Sequence, residues 1–285
     1  VIPSVLLDDI VRRALAEDLA SGDVTTEAVV TESAIAVADA VAKAPLVVCG
    51  GDVFARAFYA VDPGVRVEQL AQEGSRVAPG TRLFRAEGAA RSLLMAERVA
   101  LNFLQRMSGI ATLTRRYVDA LPAESSTRIV DTRKTTPGLR ILERYAVRVG
   151  GGRNHRDHLG AAVMIKDNHI AAAGSITEAV RRVRAKAPHT SRIEVEVTSL
   201  AELEEALAAR VEIVLLDNFE GAALVEAVAL GRDRALLEVS GGVTLERIGE
   251  LGRLGVDVIS VGALTHSAPA ADISLRLELL ESAAP

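Results

Sequence analysis

From residue 128 to residue 261 the chain repeats one pattern: a short apolar run, a polar or glycine-containing loop, then a helix-favouring segment. The runs are 128–130, 162–165, 193–197, 212–216, 235–239 and 256–261. Runs this short, each followed by a helical stretch, suit parallel strands, because a parallel neighbour is reached only through a long crossover. The expected fold is α/β, with these strands in an open or closed barrel. In such folds ligands bind at the carboxyl ends of the strands. Here those ends read Asp131-Thr132-Arg133-Lys134, Lys166-Asp167-Asn168, Glu196, Asp217-Asn218, Ser240-Gly241-Gly242 and Gly262. A barrel built only for stability has no need of a charged group or a glycine loop at nearly every strand end.

Upstream the pattern is different. Residues 6–19 read as an amphipathic helix, and 35–41, 46–48, 65–70 and 81–86 as strands separated by Glu73-Gly74 and Pro79-Gly80 turns. Residues 89–107 and 111–121 read as two helices. Pro122 and the polar stretch to residue 127 form the expected junction. This divides the chain into an α+β region over 1–122, a barrel over 123–267, and a final helix from 268 that packs back on the N-terminal region.

Composition removes several classes of function. The net charge is −5, so no global basic field attracts nucleic acid, and with no Trp, three Tyr and five Phe a base-stacking platform is not expected. One cysteine, Cys49, permits neither an intramolecular disulfide nor a cysteine zinc site. No apolar run is long enough to span a bilayer, and the N-terminus lacks the pattern of a secretion signal. The expectation is a soluble cytoplasmic protein. The sequence begins at Val1 rather than Met, so residues upstream of it are expected.

Of the 33 basic residues only Lys43, Lys134, Lys166 and Lys186 are lysines, and two of these end predicted strands. Arg133, Lys134, His155, Arg156 and Lys166 are expected at one barrel mouth, where their mutual repulsion calls for an anion with several charges. In Ile193-Glu194-Val195-Glu196-Val197 the two glutamates share a face, and Glu196, nearer the strand end, is the one expected to reach the mouth. With Asp217 it makes a carboxylate pair suited to sugar hydroxyls or to hydrated Mg²⁺. Ser240-Gly241-Gly242 and Val261-Gly262-Ala263 follow the last two strands, where barrels often hold a phosphate, and His266 lies close by in sequence. Glu97 and Arg98 stand in an otherwise apolar helix and need a partner. The phosphate loop Gly-x-x-x-x-Gly-Lys-Ser/Thr, the dinucleotide fingerprint Gly-x-Gly-x-x-Gly and the Gly-x-Ser-x-Gly elbow do not occur.

Taken together, 131–140 (DTRKTTPGLR), 150–156 (GGGRNHR), 164–170 (MIKDNHI), 194–197 (EVEV), 215–219 (LLDNF), 240–242 (SGG) and 261–267 (VGALTHS) resemble quinolinate phosphoribosyltransferase. The resemblance runs through essentially the whole chain. It implies transfer of the phosphoribosyl group of phosphoribosyl pyrophosphate to quinolinate, with Mg²⁺, giving nicotinate mononucleotide, pyrophosphate and CO₂ in de novo NAD biosynthesis. It implies an N-terminal α/β sandwich and an open α/β barrel. It also implies a homodimer, or a higher oligomer built from it, in which Arg98 is supplied across the interface. By motif position Arg98, Thr132, Arg133, His155, Arg156 and Lys166 would bind quinolinate. Lys134, Glu196, Asp217, Ser240–Gly242, Val261–Ala263 and His266 would bind phosphoribosyl pyrophosphate. Lys134, Glu196, Asp217 and Lys166 would act in catalysis, and Glu196 and Asp217 would hold the metal, directly or through water. Competing readings are a related phosphoribosyltransferase for another aromatic acid, a Schiff-base enzyme using Lys166, and an anion receptor. The carboxylate pair argues against the last, since a receptor for anions gains nothing from it.

Overall fold

The computed structural model describes residues 2–280; Val1 and residues 281–285 lie outside it. In chain order the elements are α1 (Ser4–Asp18), α2 (Val24–Val29), β1 (Ile35–Ala42), β2 (Leu46–Val47), α3 (Gly51–Val61), β3 (Arg66–Gln69), β4 (Arg76–Val77), β5 (Arg82–Ala89) and α4 (Ala90–Asp119). There follow β6 (Arg128–Val130), α5 (Arg140–Val149), β7 (Val163–Ile165), α6 (Asp167–Ala173), α7 (Ile176–Arg184), β8 (Ile193–Val197), α8 (Leu200–Ala208) and β9 (Ile213–Asp217). The last are α9 (Gly221–Gly231), β10 (Leu236–Ser240), α10 (Ile248–Leu254), β11 (Val258–Ser260), α11 (Ala263–His266) and β12 (Ile273–Leu279). They divide into two compact units. The first runs to Arg115 and takes in Thr135–Gly151 and the chain from Leu264; the second is Arg116–Lys134 with Gly152–Ala263. The segment after the first barrel strand thus belongs to the first unit, whereas the sequence assigns it to the barrel.

The first unit is built on a four-stranded antiparallel sheet in the order β12-β1-β5-β3. Ala36, Ala38 and Ala40 form the fully buried side of β1, where small side chains let the packed layer come close. Phe54 and Phe58 of α3 meet Phe84 of β5, with Phe54 centred 5.1 Å from each of the other two rings. On β1 and β5, Asp39 accepts from Arg85 Nε (2.8 Å) and Nη2 (2.9 Å) across a register pair.

Two sequence expectations fail in this unit. The chain from 268 is not a helix: Ile273–Leu279 is a strand that pairs along β1, with Ala38 opposite Leu277 and Ala42 opposite Ile273. Its packing against the N-terminal region stands, and the part of the prediction beyond residue 280 lies outside the described residues. The two helices expected over 89–121 are one α4 of 30 residues. Gly109, in the gap between the two expected helices, is there for proximity. A Cβ at Gly109 would lie 2.0 Å from the Pro269 carbonyl oxygen, and beside it the Ala271 N–H donates to Gln105 O (2.9 Å).

A buried ionic hub anchors the segment after residue 134. Glu143 is fully buried, and its Oε1 accepts from Arg106 Nε (3.1 Å), Arg106 Nη2 (2.8 Å) and Thr136 Oγ1 (2.7 Å). Its Oε2 accepts from the Thr136 N–H (3.1 Å). Arg106 also donates to the carbonyls of Ala268 (3.0 Å) and Thr265. A buried carboxylate with a guanidinium and two further donors is a stable arrangement; without its cation it is not.

The second unit is a six-stranded parallel sheet in the order β6-β11-β10-β9-β8-β7, with β6 and β7 at its edges. The parallel strands and the sandwich-plus-barrel fold class match the sequence expectation. Val195, Val214, Leu216, Leu237, Val239 and Ile259 lie on one face and are all buried, as strands covered by helices require. The alternate residues form the other face, and register sets them side by side: Met164 beside Glu194, then Glu196, Leu215 and Glu238 in one row, and Asp217 beside Ser240. Among the described residues no helix is long and apolar enough to cross a membrane.

Candidate active site

The polar face of the second unit lines a cavity of about 420 Å³ at the carboxyl ends of its strands. Thr132, Arg133 and Lys134 enter from the loop after β6, and His155 and Arg156 from the loop before β7. Met164, Lys166, Glu196, Leu215, Asp217, Glu238, Ser240 and Ser260 complete the lining. A larger hollow of about 550 Å³ lies around Arg232, Asp233, Leu236 and Asp257, at the amino ends of β10 and β11. Strand polarity places ligand chemistry at the other end, and the smaller cavity is where the reactive groups converge.

The loop before β7 is fixed by Asp131, a fully buried side chain. Its Oδ1 accepts the His155 N–H (2.8 Å), and its Oδ2 accepts from the Asn154 amide. Backbone bonds from Asp131 N–H to Arg153 O (3.2 Å) and from Arg153 N–H to Ile129 O (2.8 Å) run this loop alongside β6. His155 and Arg156 are thereby positioned by main chain. Arg156 Nη1 donates to Ala162 O (3.1 Å). Burial, and then the charge of Arg133, hold the Arg156 guanidinium below its usual range, while Glu194 opposes them. Two guanidinium groups close enough to perturb one another in a half-buried wall favour binding of an anion.

The sequence counts five cations awaiting an anion. Lys166 and His155 have carboxylate partners in place. Lys166 Nζ is bonded to Glu196 Oε2 in a short contact. His155 Nε2 lies 3.3 Å from Glu194 Oε2 and 3.4 Å from Glu238 Oε1. His155 Nδ1 accepts the Arg156 N–H (2.7 Å), so both ring nitrogens have partners within the protein. Burial alone would lower the His155 pKa, but the hydrogen bonds and charges of Glu194 and Glu238 outweigh it and push it up to about 10. Lys166 bonded to a carboxylate is poorly placed to act as the neutral amine that Schiff-base chemistry needs.

Glu194 and Glu238 are the residues that the sequence expectation misses. Each is 3% exposed, and the two carboxylates with His155 Nε2 bring ligand atoms within 4.8 Å of one another. Glu194 is two residues below Glu196 on β8, whereas Glu238, two below Ser240 on β10, shares a row with Glu196 and Leu215. The available signal was a charge inside a buried strand, which needs a partner.

Asp217 and Glu196 sit on adjacent strands and both line the cavity. Asp217 Oδ2 accepts from Asn218 Nδ2 (2.8 Å). Two carboxylates with oxygen donors only fit Mg²⁺, which is commonly held by one or two carboxylates with water and substrate phosphate. Of the expected phosphate loops, Ser240 lines the cavity; Gly241, Gly242, Val261, Gly262 and Ala263 are not among its lining residues. Gly241 has φ +87°, and a Cβ there would lie 2.2 Å from Asn218 Oδ1, so only glycine fits this approach of two loops. Arg98, on α4, and His266 belong to the first unit and are exposed; His266 Nδ1 is 2.6 Å from Ser267 Oγ. Burial pushes the Glu97 carboxyl up against the opposing charge of Arg98.

Comparison with known proteins converges on one family. Residues 23–108 match the family profile "Quinolinate phosphoribosyl transferase, N-terminal domain", and residues 110–276 match "Quinolinate phosphoribosyl transferase, C-terminal domain". The nicotinate-nucleotide pyrophosphorylase [carboxylating] of Mycobacterium leprae is 46% identical over 276 residues, covering 94% of this chain and 96% of that protein. A probable nicotinate-nucleotide pyrophosphorylase [carboxylating] of Synechocystis sp. is 45% identical over 278 residues, covering 96% and 94%. Among solved structures, NadC from Streptococcus pyogenes superposes with a TM-score of 0.94 at 43% identity, covering 99% of each chain.

Proposed function

The chain belongs to the quinolinate phosphoribosyltransferase family, and from that premise we propose how its cavity works. It transfers the phosphoribosyl group of phosphoribosyl pyrophosphate to quinolinate with decarboxylation, giving nicotinate mononucleotide, pyrophosphate and CO₂, a step of de novo NAD biosynthesis. The observation that carries this reading is one cavity lined both by Arg133, Arg156 and Lys166 and by Glu196 and Asp217. The cations suit an aromatic diacid. The carboxylates suit a sugar on which positive charge develops.

In this scheme Thr132, Arg133, Arg156 and Lys166, with His155, gather the two carboxylates of quinolinate and aim its ring nitrogen at the anomeric carbon. Arg98 of the partner subunit completes that wall in a homodimer; the exposure of Arg98 supports this part of the proposal. Lys134 lies on the departing pyrophosphate. Glu196 and Asp217 bind ribose hydroxyls and stabilise the oxocarbenium-like charge. Ser240, the glycines after it and Val261–Ala263 hold the ribose phosphate. Mg²⁺ would be held at Glu196 and Asp217, through water where Lys166 occupies a Glu196 oxygen, and when bound it neutralises diphosphate charge. Decarboxylation follows transfer, because a quaternised ring nitrogen stabilises the carbanion at the neighbouring carbon and a neutral pyridine does so poorly. The protein is placed in the cytoplasm as part of this reading, and its one cysteine, Cys49, is a buried free thiol.

The test is direct. Purified protein is incubated with quinolinate, phosphoribosyl pyrophosphate and Mg²⁺, and CO₂ and nicotinate mononucleotide are measured. Equal amounts of both, dependent on all three additions, are expected. Nicotinate used in preference to quinolinate, or no mononucleotide at all, would overturn the assignment.

A further inference from the structure

On the cavity side of the barrel, β9, β10 and β11 present one row of hydrogen-bonding groups. Asp217 and Ser240 are register partners. Val239 is paired with Ile259, so Ser240 and Ser260 follow side by side on β10 and β11. Side chains alternate along a strand. Ile259 is fully buried on the helix-covered face, which turns Ser260 toward the cavity that it lines with Asp217 and Ser240.

Ser260 is 3% exposed, and its hydroxyl oxygen is buried with no hydrogen-bond partner among the described residues. An unpaired buried hydroxyl carries a desolvation cost that a methyl group of nearly the same size does not. A polar group held at that cost in the wall of a ligand cavity fits a partner that arrives with the ligand.

Position says which part of the ligand this is. β11 lies between β6 and β10. On the β6 side the register partner of Ser260 is Val130, which is apolar, so its hydroxyl neighbour is Ser240 on the β10 side. Ser260 is also the last residue of β11, directly before Val261-Gly262-Ala263. Those three residues do not line the cavity, so the end of β11 reaches it through Ser260. Beyond Ser240 the chain turns through Gly241 (φ +87°) and Gly242 (φ +55°), where main chain can come close to a ligand. Two adjacent hydroxyls beneath a glycine turn suit the oxygens of a phosphate monoester. The carboxylates of an aromatic diacid are better served by Arg133 and Arg156.

We propose that the Ser260 hydroxyl donates a hydrogen bond to the phosphate of the ribosyl substrate, beside Ser240. This inference deepens, and rests on, the phosphoribosyl-transfer reading. The phosphate is remote from the bonds that break and form, and it is the same group in substrate and product. The contact is therefore one of uniform binding, which moves KM and leaves kcat nearly unchanged.

The test uses Ser260→Ala in the full-length protein. Calorimetric titration with ribose 5-phosphate, nicotinate mononucleotide, quinolinate and pyrophosphate, each alone, is compared with wild type. The first two should bind more weakly by about 10-fold or more, as expected for a lost hydrogen bond to a charged group. Quinolinate and pyrophosphate, which lack the sugar phosphate, should be unaffected. KM for phosphoribosyl pyrophosphate should rise by the same factor. The unliganded variant should melt at the wild-type temperature or above it, because no protein partner is lost. Ser260→Cys, which keeps the size and leaves only a weak donor, should lose the same affinities and carries the test if Ser260→Ala does not fold. Unchanged affinity for ribose 5-phosphate would overturn the proposal, as would a loss that falls on quinolinate instead. A lower melting temperature with all four ligands unaffected would overturn it too and make Ser260 a structural residue. A wild-type protein that makes no nicotinate mononucleotide would instead refute the reading on which the proposal rests.

Discussion

Replacing Arg106 with methionine tests the physical account of the segment that follows Lys134. The side chain is removed from a fully buried carboxylate: Glu143 loses two of its four hydrogen bonds and its only described ion-pair partner. What remains are the Thr136 N–H and hydroxyl, both neutral. Breaking a buried pair from one side costs about 3–5 kcal/mol, because the surviving charge keeps its desolvation penalty. Arg106 is 28% exposed, which favours the lower end of that range. The bonds to the Ala268 and Thr265 carbonyls, worth about 1 kcal/mol each, act in the other direction. A loss of about 4 kcal/mol is expected. The chain has no Trp, so urea unfolding is followed by far-ultraviolet circular dichroism. Adding Glu143→Leu to the same chain removes the stranded charge. The double variant should therefore be less destabilised than the sum of the singles, with a coupling of about 1–3 kcal/mol. A loss below about 1 kcal/mol for Arg106→Met, or strict additivity, would refute the claim that the pair is held as a buried charge couple.

Three further outcomes follow from the same structure. Lys134→Ala should lower turnover far more than it weakens quinolinate binding; unchanged turnover would remove Lys134 from the pyrophosphate. Arg98→Ala mixed with an inactive barrel variant such as Asp217→Ala should recover about one quarter of wild-type activity if sites are shared across a twofold dimer, since half the dimers are hybrids with one intact site. No recovery in demonstrably mixed dimers would end that idea. The Arg85 hydrogen bonds, with burial opposing, hold Asp39 below its ordinary value of 3.8. A depressed carboxylate stabilises the fold above its unfolded value and loses that contribution as pH falls below it. Stability measured from about pH 6 to about pH 2.5 should thus fall less steeply in Asp39→Asn than in wild type, and parallel curves would exclude the Asp39–Arg85 pair as a source of acid sensitivity.

Much of the fold was legible because two periodicities differ. The barrel strands showed as short apolar runs between helical stretches, and strand polarity alone put Thr132, Lys166, Glu196, Asp217 and Ser240 around one cavity. The C-terminal strand was misread because composition and pattern disagree there. Leu, Arg and Glu favour helix, yet Ile273, Leu275, Leu277 and Leu279 alternate strictly with polar residues. Alternation has the period of a strand, and pairing with β1 outweighs the intrinsic helix preference. Gly109, in the gap between the two expected helices, lies inside the continuous α4. Its absent side chain makes room for the Pro269 carbonyl, a neighbour 160 residues away that no local signal announces.

The deep glutamates expose a subtler limit. Depth in a barrel was judged along a single strand, so Glu196 was preferred to Glu194 as the residue at the mouth. Register between strands is what sets depth, and it puts Glu196 level with Leu215 and Glu238, not with Asp217 and Ser240. A strand end on β8 is therefore level with the interior of β10, and a glutamate inside Leu236-Leu237-Glu238-Val239 looks into the same cavity. The sequence did contain the warning. Two carboxylates in buried strands and a histidine beside an arginine cannot all be solvated, and the least costly arrangement brings them together. What no single chain of residues discloses is the stagger that decides which of them meet.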